Sequence, residues 1–359
     1  MRGRRCSVAC ALLFWMGALF VVSGAGISYA GEGVSVSVEQ LMDILKGADT
    51  PEARQHAAER LGTLGRDPRI EAVAAALIEA LNWDLQPRVR GHAAAALGEI
   101  GLATEGVLPA LADALLVDTD PEVRGRTAAA LGMIGPAARR AVPALIEALD
   151  ADDHLGVRWH VSRALGNIGL ATEEVVTALI EALVRDERSG VRARAAVSLG
   201  MLGATTGNVA PALIEALGWD PHPGVRLSAV EALGQLGPVT DEVAPALIEA
   251  LGNDEHSGVR MGAAQALGKI GPVTEKVIPT LIEALARDEE PGVHSYAAEA
   301  LGASVNILRN SQTPSSISAL KEVLAALERH RVSRIRMNAD TVRGAIRVPE
   351  RKRQSQGRK

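Results

Sequence analysis

Aromatic side chains are scarce in this sequence: they make up 2% of its 359 residues, while hydrophobic residues as a class make up 47%. This composition does not favour one large globular core. It is typical of a stack of helices rich in alanine and leucine. The aromatic residues beyond residue 30 are Trp83, Trp159, Trp219 and Tyr296.

Cysteine is nearly absent, and both cysteines of the chain, Cys6 and Cys10, lie in residues 1–30. In this segment three arginines precede an apolar run, and small residues stand at Ser28 and Ala30. The pattern predicts a secretory signal peptide over residues 1–30, with cleavage after Ala30. The mature protein would then have no disulfide or thiol chemistry, even in an oxidising compartment.

The N-terminal segment has a second interpretation. Residues 8–27 form an apolar stretch of about 20 residues, which is near the length that spans a bilayer. An uncleaved segment would anchor the protein to the inner membrane. In both cases the sequence predicts an exported protein, and cleavage would make it periplasmic or extracellular.

Positive charge is scarce in the body of the chain. Residues 1–30 carry +3 and residues 331–359 carry +8, which leaves −16 on residues 31–330 of a chain whose formal net charge is −5. An acidic body is a poor surface for nucleic acid, because phosphate contacts need lysine and arginine. The basic tail over residues 348–359 is predicted to be disordered. It is either solvated or in weak contact with an anionic membrane surface or the acidic body.

The sequence contains an internal repeat. A Leu-Gly pair recurs after 36 residues once and then every 34 residues, and its leucines are Leu61, Leu97, Leu131, Leu165, Leu199, Leu233, Leu267 and Leu301. A period of this size is typical of a solenoid, in which stacked repeats bury a continuous core.

Each repeat holds two helical patterns, as residues 243–271 illustrate. The first pattern places Val243 and Leu247 on one helical face, and the second places Val259 and Leu267 on another. A polar turn separates the two helices. Gly271 is predicted to end the second helix in a left-handed conformation.

Small residues on the second helix predict close packing between helices. Ala264 and Gly268 lie one turn apart and would let a neighbouring helix approach closely. A helical glycine costs about 1 kcal/mol in propensity. Because a glycine recurs at this position in every full repeat, close packing is expected to outweigh that cost.

The start of the first helix has two interpretations. A threonine before it is either its N-cap, with a proline inside the helix, or part of a separate turn, with the proline near the first helical position. These threonines are Thr104, Thr172, Thr206, Thr240 and Thr274.

Three recurring residues make the pattern specific: a proline in the first helix, an aspartate in the turn, and an arginine that usually follows a valine near the start of the second helix. The prolines are Pro109, Pro143, Pro211, Pro245 and Pro279. The aspartates are Asp84, Asp118, Asp152, Asp186, Asp220, Asp254 and Asp288. The arginines are Arg54, Arg90, Arg124, Arg158, Arg192, Arg226 and Arg260.

With these residues the sequence resembles HEAT repeats, in the class called phycobilin-lyase-type (PBS lyase) HEAT-like repeats. The resemblance implies an all-α, right-handed α-solenoid, an α-α superhelix of the armadillo and HEAT kind. It also implies that the repeated aspartate and arginine form a structural ladder between adjacent repeats. A ligand-binding row is the alternative, but residues present in every repeat are expected to serve the architecture.

The domain boundaries follow from the repeats. About eight helix pairs of 34 residues are predicted over residues 37–303. A polar linker over residues 310–316 leads to a degenerate capping repeat over residues 315–347, whose first helix is expected over residues 317–327.

Variable positions of the second helix are the better candidates for function. Two residues after the ladder arginine, the first five repeats carry a histidine or an arginine, and we call these residues the lane: His56, His92, Arg126, His160 and Arg194. Five residues after that arginine stands a more varied column, which includes Glu59 and Arg163. The resemblance implies that second helices line the concave face. The lane would thus receive an acidic partner or an anionic ligand, unless it is a solvated face with a chance cluster of charges.

The tryptophans Trp83, Trp159 and Trp219 are further candidates for partner contact. They stand at turn or early-helix positions, and tryptophan is enriched in interface hot spots. Packing over a turn is the alternative.

The sequence predicts no catalytic residue, no cofactor and no metal ligand. Lane histidines one repeat apart are separated by about 10 Å, whereas metal–ligand bonds are about 2 Å long. Deoxyhypusine hydroxylase is a HEAT-repeat enzyme whose di-iron centre uses His-Glu pairs, and none of the eight histidines here precedes a glutamate. There is no glycine-rich phosphate loop and no nucleophile elbow.

These observations favour a non-catalytic, monomeric scaffold of the cell envelope that binds another protein through its second helices. The alternative is an enzyme or enzyme subunit related to the phycobilin lyases, acting on a bound cofactor.

Overall fold

The computed structural model describes residues 36–65, 67–203, 208–237, 241–271, 275–311 and 314–329. The regular structure in these ranges is entirely helical, which confirms the all-α prediction. Within them, no helix combines the length and the apolar character that a membrane crossing requires. The predicted signal peptide or anchor, the second helix of the capping repeat and the basic tail lie outside the described residues.

The chain divides after Ile134 into two compact units. The N-terminal unit contains three helix pairs, which are α1 (Val38–Gly47) with α2 (Pro51–Gly62), α3 (Ile70–Trp83) with α4 (Pro87–Ile100), and α5 (Val107–Val117) with α6 (Pro121–Ile134).

The C-terminal unit begins with a 3-10 segment over Gly135–Ala141. Its helix pairs are α7 (Val142–Ala151) with α8 (Leu155–Ile168), α9 (Glu173–Arg185) with α10 (Ser189–Leu202), α11 (Val209–Trp219) with α12 (Pro223–Leu236), α13 (Val243–Asn253) with α14 (Ser257–Ile270), and α15 (Val277–Arg287) with α16 (Pro291–Ser311). A further first helix, α17 (Pro314–Arg329), covers the helix expected over residues 317–327.

The core lies between a layer of first helices and a layer of second helices. Val243 and Leu247 of α13 and Val259 and Leu267 of α14 are all fully buried, as the helical pattern predicts. Each helix packs on its partner in the repeat and, within its compact unit, on the equivalent helix of the next repeat. No repeat buries its apolar faces alone, so each depends on its neighbours.

Second helices approach each other closely, as the small residues predict. A Cβ added to Gly268 of α14 would lie 2.9 Å from the Cα of Ala300 in α16, and one added to Gly200 of α10 would lie 2.8 Å from the Cα of Ala232 in α12. Real Cβ atoms rarely come so near another backbone. The glycine therefore permits a packing distance that alanine would prevent.

Six second helices, α4, α6, α8, α10, α12 and α14, are each followed by a glycine with positive φ. Gly101 has φ 72° and ψ 17°, the left-handed conformation expected after a helix. Gly271 has φ 79° but ψ −175°, so the left-handed prediction holds there for φ alone. That region of the backbone map is restricted to glycine.

The two threonines that the structure describes have different roles, and neither is the N-cap of a helix that contains the proline. Thr172 is the N-cap of α9 and accepts a hydrogen bond from the Val175 N–H, in a repeat without the proline. Thr104 lies in a separate turn before α5, and Pro109 is the third residue of that helix. A proline in the first turn removes no helical hydrogen bond. Thr206, Thr240 and Thr274 lie outside the described residues.

Three histidines begin second helices, a role that the repeat pattern did not reveal. His154, His222 and His256 are the N-caps of α8, α12 and α14, and each ring Nδ1 accepts a hydrogen bond from the N–H two residues later at 3.2 Å. These helices therefore start two residues before the valine that the pattern placed at their beginning.

The prediction of a linker over residues 310–316 is wrong. Helix α16 continues to Ser311, and α17 begins at Pro314. The physical reason is at position 305, one repeat period after Gly271. There the chain has Val305, which is fully buried, so the residue that would end the helix is missing.

Candidate interaction surface

One side of each second helix carries the positions two, five and nine residues after the ladder arginine. These positions lie on one side of a helix because their spacing follows the helical period. In α10 they are Arg194, Val197 and Met201; the first two are half-buried and Met201 is 51% exposed. We call this surface the helix-two face, and it carries the lane.

The repeated arginines and aspartates lie behind this face and join neighbouring repeats. In six pairs the arginine Nε donates to Oδ2 of the aspartate in the next repeat at 2.6–2.7 Å, and Nη2 donates to Oδ1 at 2.8–3.1 Å. The pairs are Arg54–Asp84, Arg90–Asp118, Arg158–Asp186, Arg192–Asp220, Arg226–Asp254 and Arg260–Asp288.

Each ladder residue also holds its own turn. From Arg90 onward the arginine Nη1 donates to the backbone carbonyl of the turn aspartate in its own repeat, as Arg124 does to Asp118 at 3.0 Å, whereas Arg54 donates to the Ala48 carbonyl. The aspartate Oδ1 accepts from the N–H two residues later, as Asp152 does from His154 at 2.9 Å. One guanidinium thus fixes the turn of its own repeat through Nη1 and binds the turn aspartate of the next repeat through Nε and Nη2.

Three of the pairs, those of Asp84, Asp254 and Asp288, lower the pKa of their aspartate. The Arg260 guanidinium holds the pKa of Asp288 below its ordinary value. Burial alone would raise the pKa of Asp254, but the hydrogen bonds from Arg226 and from the His256 N–H outweigh it and lower that pKa. The pairs occupy the donors and acceptors of these side chains, which leaves little capacity for an external ligand.

In the N-terminal unit the lane residues face carboxylates. The ring of His92 lies 3.0 Å from Glu59, and that of His56 lies 3.6 Å from the same side chain. Arg126 donates to Glu122 at 2.8 Å and also contacts the His92 ring at 3.3 Å. This part of the lane is therefore largely neutralised by its own chain.

These neighbours lower the pKa of the Glu59 carboxyl group. Burial raises its pKa, but the Gln55 amide and the rings of His92 and His56 more than offset that effect and lower the pKa. A negative charge at Glu59 beside two imidazoles explains why this end of the lane is a less attractive anion site than the sequence suggests.

In the C-terminal unit the lane meets a tryptophan. The Arg194 guanidinium lies over the Trp159 ring, with its Cζ 4.5 Å from the ring centroid, and the His160 ring packs edge-on against the same indole at 4.9 Å. Arg163 approaches the indole from its own helix at 6.0 Å. A cation over an aromatic face is attracted by the ring quadrupole.

The sequence did not single out Arg163 as a site residue. The signal was present, because Trp159 and Arg163 are four residues apart on α8 and therefore neighbours on its surface. The sequence does not contain the distance between α8 and α10, and this distance places the Arg194 guanidinium over the Trp159 ring.

Trp83 and Trp219 lie at the turns and not on the helix-two face. They are the last residues of α3 and α11 and are 78% and 85% exposed, so neither is packed over its turn. Leu85, beside Trp83, is 88% exposed. These indoles are accessible to a partner, whereas Trp159 is half-buried.

Among the described residues, no three histidine, cysteine, aspartate or glutamate side chains are grouped closely enough to hold a metal ion.

Comparison with solved structures shows the same fold in much longer proteins. Importin beta matches with 19% identity and a TM-score of 0.60, over 86% of this chain and 47% of that one. Kap121p matches with 16% identity and a TM-score of 0.53, over 86% of this chain and 37% of that one. The chain thus spans less than half the length of either protein. No curated protein matches it.

Comparison with protein families is more specific. The model for the PBS lyase HEAT-like repeat matches residues 191–218. The model for HEAT repeats matches residues 38–132, 108–200 and 210–302, which together cover well over half of the chain. The protein therefore belongs to the HEAT repeat family, and its residues 191–218 match the PBS lyase type of repeat.

Proposed function

We propose that this protein is an exported, non-catalytic scaffold of the cell envelope that binds another protein through its helix-two face. The HEAT-repeat solenoid is a fold typical of protein-interaction roles. The observation that carries the proposal is that some positions of the repeat are constant and others vary. The ladder and the Leu-Gly pair are the same from repeat to repeat, whereas the helix-two face changes its chemistry along the chain.

Photo-cross-linking tests whether the partner binds the helix-two face. A photoreactive amino acid is placed at single positions on second helices and, as controls, on first helices. Glu231 of α12 and Gln265 of α14 are exposed positions on the helix-two face, and Glu181 of α9 and Glu249 of α13 are exposed control positions on first helices. We expect one partner to be cross-linked from the two helix-two positions and not from the controls. A partner cross-linked only from first helices would refute the face, and no adduct at any position would refute protein binding.

A variant with alanine at His92, Arg126, His160 and Arg194 tests the lane. Because these residues are half-buried and outside the apolar core, the fold should survive, and an unchanged far-ultraviolet circular dichroism spectrum checks this. We expect the cross-linked adduct to be lost. An adduct of unchanged yield would show that the lane does not contact the partner.

The mass of the protein isolated from its own cells tests export. Cleavage after Ala30 gives a chain that begins at Gly31 in a soluble envelope fraction. A full-length chain in the membrane fraction would indicate the anchor, and a full-length chain in the cytoplasm would refute export. Sedimentation of the same preparation tests the proposed monomer.

A further inference from the structure

Helices α8 and α10 bring two guanidinium groups of the helix-two face close to the indole of Trp159. The Cζ of Arg194 lies 4.5 Å from the Trp159 ring centroid, and the Cζ of Arg163 lies 6.0 Å from it. Trp159 and Arg194 are half-buried and Arg163 is exposed. We call these three residues the Trp-Arg cluster.

Neither guanidinium of the cluster is neutralised by the described part of the chain. Arg163 and Arg194 make no hydrogen bond and no ion pair there, and the buried Nε of Arg194 has no hydrogen-bond acceptor. Arg126, by contrast, is held by Glu122 at 2.8 Å. The chain has 43 acidic residues, so the absence of a carboxylate partner here is not due to a shortage of acid.

The two charges also act on each other. Burial lowers the pKa of Arg194, and the positive charge of Arg163 lowers it further. Like charges held together and partly removed from water raise the free energy of the unbound protein. An anion bound to both guanidinium groups would relieve this repulsion.

The surroundings favour a carboxylate carried by a protein segment. All three residues lie inside helices, so their backbone N–H groups are used and no backbone nest is available for a phosphate. The planar guanidinium matches a carboxylate and a phosphate alike with paired hydrogen bonds, so the preference for a carboxylate rests on the missing nest and on the apolar neighbours. Val197 and Met201 flank Arg194 on α10 and offer apolar contact to the residues beside the carboxylate.

We propose that the Trp-Arg cluster is a hot spot that binds a glutamate or aspartate side chain in an acidic segment of the partner protein. Tryptophan and arginine are the residue types most enriched in such hot spots. The hot spot rests on the proposed function, because its occupant belongs to a protein partner.

Binding of a defined acidic peptide tests the hot spot on the full-length chain. The probe is a fluorescein-labelled decaglutamate peptide with blocked ends, and decaglutamine is the uncharged control. We expect the double variant Arg163→Gln/Arg194→Gln to bind decaglutamate at least about tenfold more weakly than the wild type in fluorescence anisotropy. Arg194→Lys should also bind more weakly, because lysine keeps the charge but loses the fork.

A second double variant controls for net charge. Arg185 and Arg287 are exposed at the ends of the first helices α9 and α15. Arg185→Gln/Arg287→Gln removes two positive charges away from the cluster and should leave the affinity within about twofold of the wild type. Thermal melting checks folding. Arg163→Gln alone should melt no lower than the wild type, since it removes like-charge repulsion.

Three outcomes would overturn the hot spot. In the first, decaglutamate binds Arg163→Gln/Arg194→Gln and Arg185→Gln/Arg287→Gln equally well. In the second, it binds none of the proteins, including the wild type. In the third, it binds the wild type more weakly than a serine decapeptide with one phosphoserine does. The first two contradict the cluster as an anion site, and the third contradicts the carboxylate.

Cross-linking separates this hot spot from the proposed function. A partner captured equally by the wild type and by Arg163→Gln/Arg194→Gln would refute the hot spot and leave protein binding intact. If the wild type captures no partner, the proposed function fails, while the decaglutamate titration still decides whether the cluster binds carboxylates.

Discussion

Arg226 shows how a single side chain connects two repeats. Its Nε and Nη2 donate to the two carboxylate oxygens of Asp254 in the next repeat, and its Nη1 donates to the backbone carbonyl of Asp220 in its own repeat. The side chains of Arg226 and Asp254 are 9% and 7% exposed. Lysine has no planar fork and cannot make the same three contacts.

We predict that Arg226→Ala lowers the free energy of unfolding by about 2–4 kcal/mol, because it leaves a largely buried carboxylate without its partner. Arg226→Lys should lie between this variant and the wild type. Urea unfolding followed by circular dichroism measures both. Arg287→Ala, an exposed arginine on α15, serves as control and should change stability by less than about 0.5 kcal/mol. Equal losses in Arg226→Ala and the control would contradict the ladder.

The ladder aspartates also predict a dependence on pH. The pKa values of Asp84, Asp254 and Asp288 are lowered in the folded protein. These groups bind fewer protons in the folded state than in the unfolded state. Their stabilisation is therefore complete above the ordinary aspartate pKa of about 3.9, and it is lost as the pH falls through the lowered values.

We expect the free energy of unfolding of the wild type to decline steeply as the pH drops from about 5 to about 3. Asp254→Asn should be less stable at neutral pH and should decline less over the same interval, because one shifted group is gone. Urea unfolding across that interval measures both proteins. Parallel declines would show that Asp254 does not contribute to the acid sensitivity.

At the scale of the element, the second helix is shaped by two glycines with different tasks. Gly268 lets α14 approach α16, and Gly271 ends α14 in a conformation that other residues avoid. Where Val305 takes the place of the terminal glycine, α16 continues for more than one further turn. The residue at this position thus decides whether the second helix ends, as α14 does, or continues, as α16 does.

We predict that Gly268→Ala destabilises the protein by about 1–3 kcal/mol, despite the better helix propensity of alanine. The added Cβ would lie 2.9 Å from the Ala300 Cα, and a backbone atom cannot move aside cheaply. Gly252→Ala in α13 is the matched control. Its Cβ would meet nothing within 4 Å, so that variant should be more stable by about 0.5–1 kcal/mol. Thermal melting of both variants checks the difference in sign.

At the scale of the whole molecule, the charge distribution is uneven. Residues 31–330 carry −16, and the ladder neutralises acids and bases in pairs, so the excess negative charge lies outside the ladder. Self-repulsion of like charges destabilises a compact state, and salt screens exposed charges more than it screens buried pairs.

We therefore expect the melting temperature to rise by about 1–3 °C when sodium chloride increases from about 20 to about 200 mM. Circular dichroism melts measure this, and choline chloride is the control for specific ion effects. A fall in the melting temperature would mean that screening of the ladder outweighs relief of the repulsion.

The periodic sequence by itself determined the fold. Leu-Gly pairs every 34 residues, apolar faces with helical spacing, and a turn aspartate with a following arginine specify helix pairs that stack. These features are local or recur at a constant spacing. Each repeat meets the same neighbour in the same way, so a pattern within one repeat also predicts the contact between repeats.

Only the tertiary structure decided what the surface can do. His92 and Arg194 stand at equivalent positions of the repeat, yet one faces Glu59 and the other lies over Trp159. The difference depends on which non-repeated side chains neighbouring helices bring within a few ångströms. Those distances are set by the close packing of second helices and cannot be read from a single position, which is why the repeat pattern indicated the lane but not the Trp-Arg cluster.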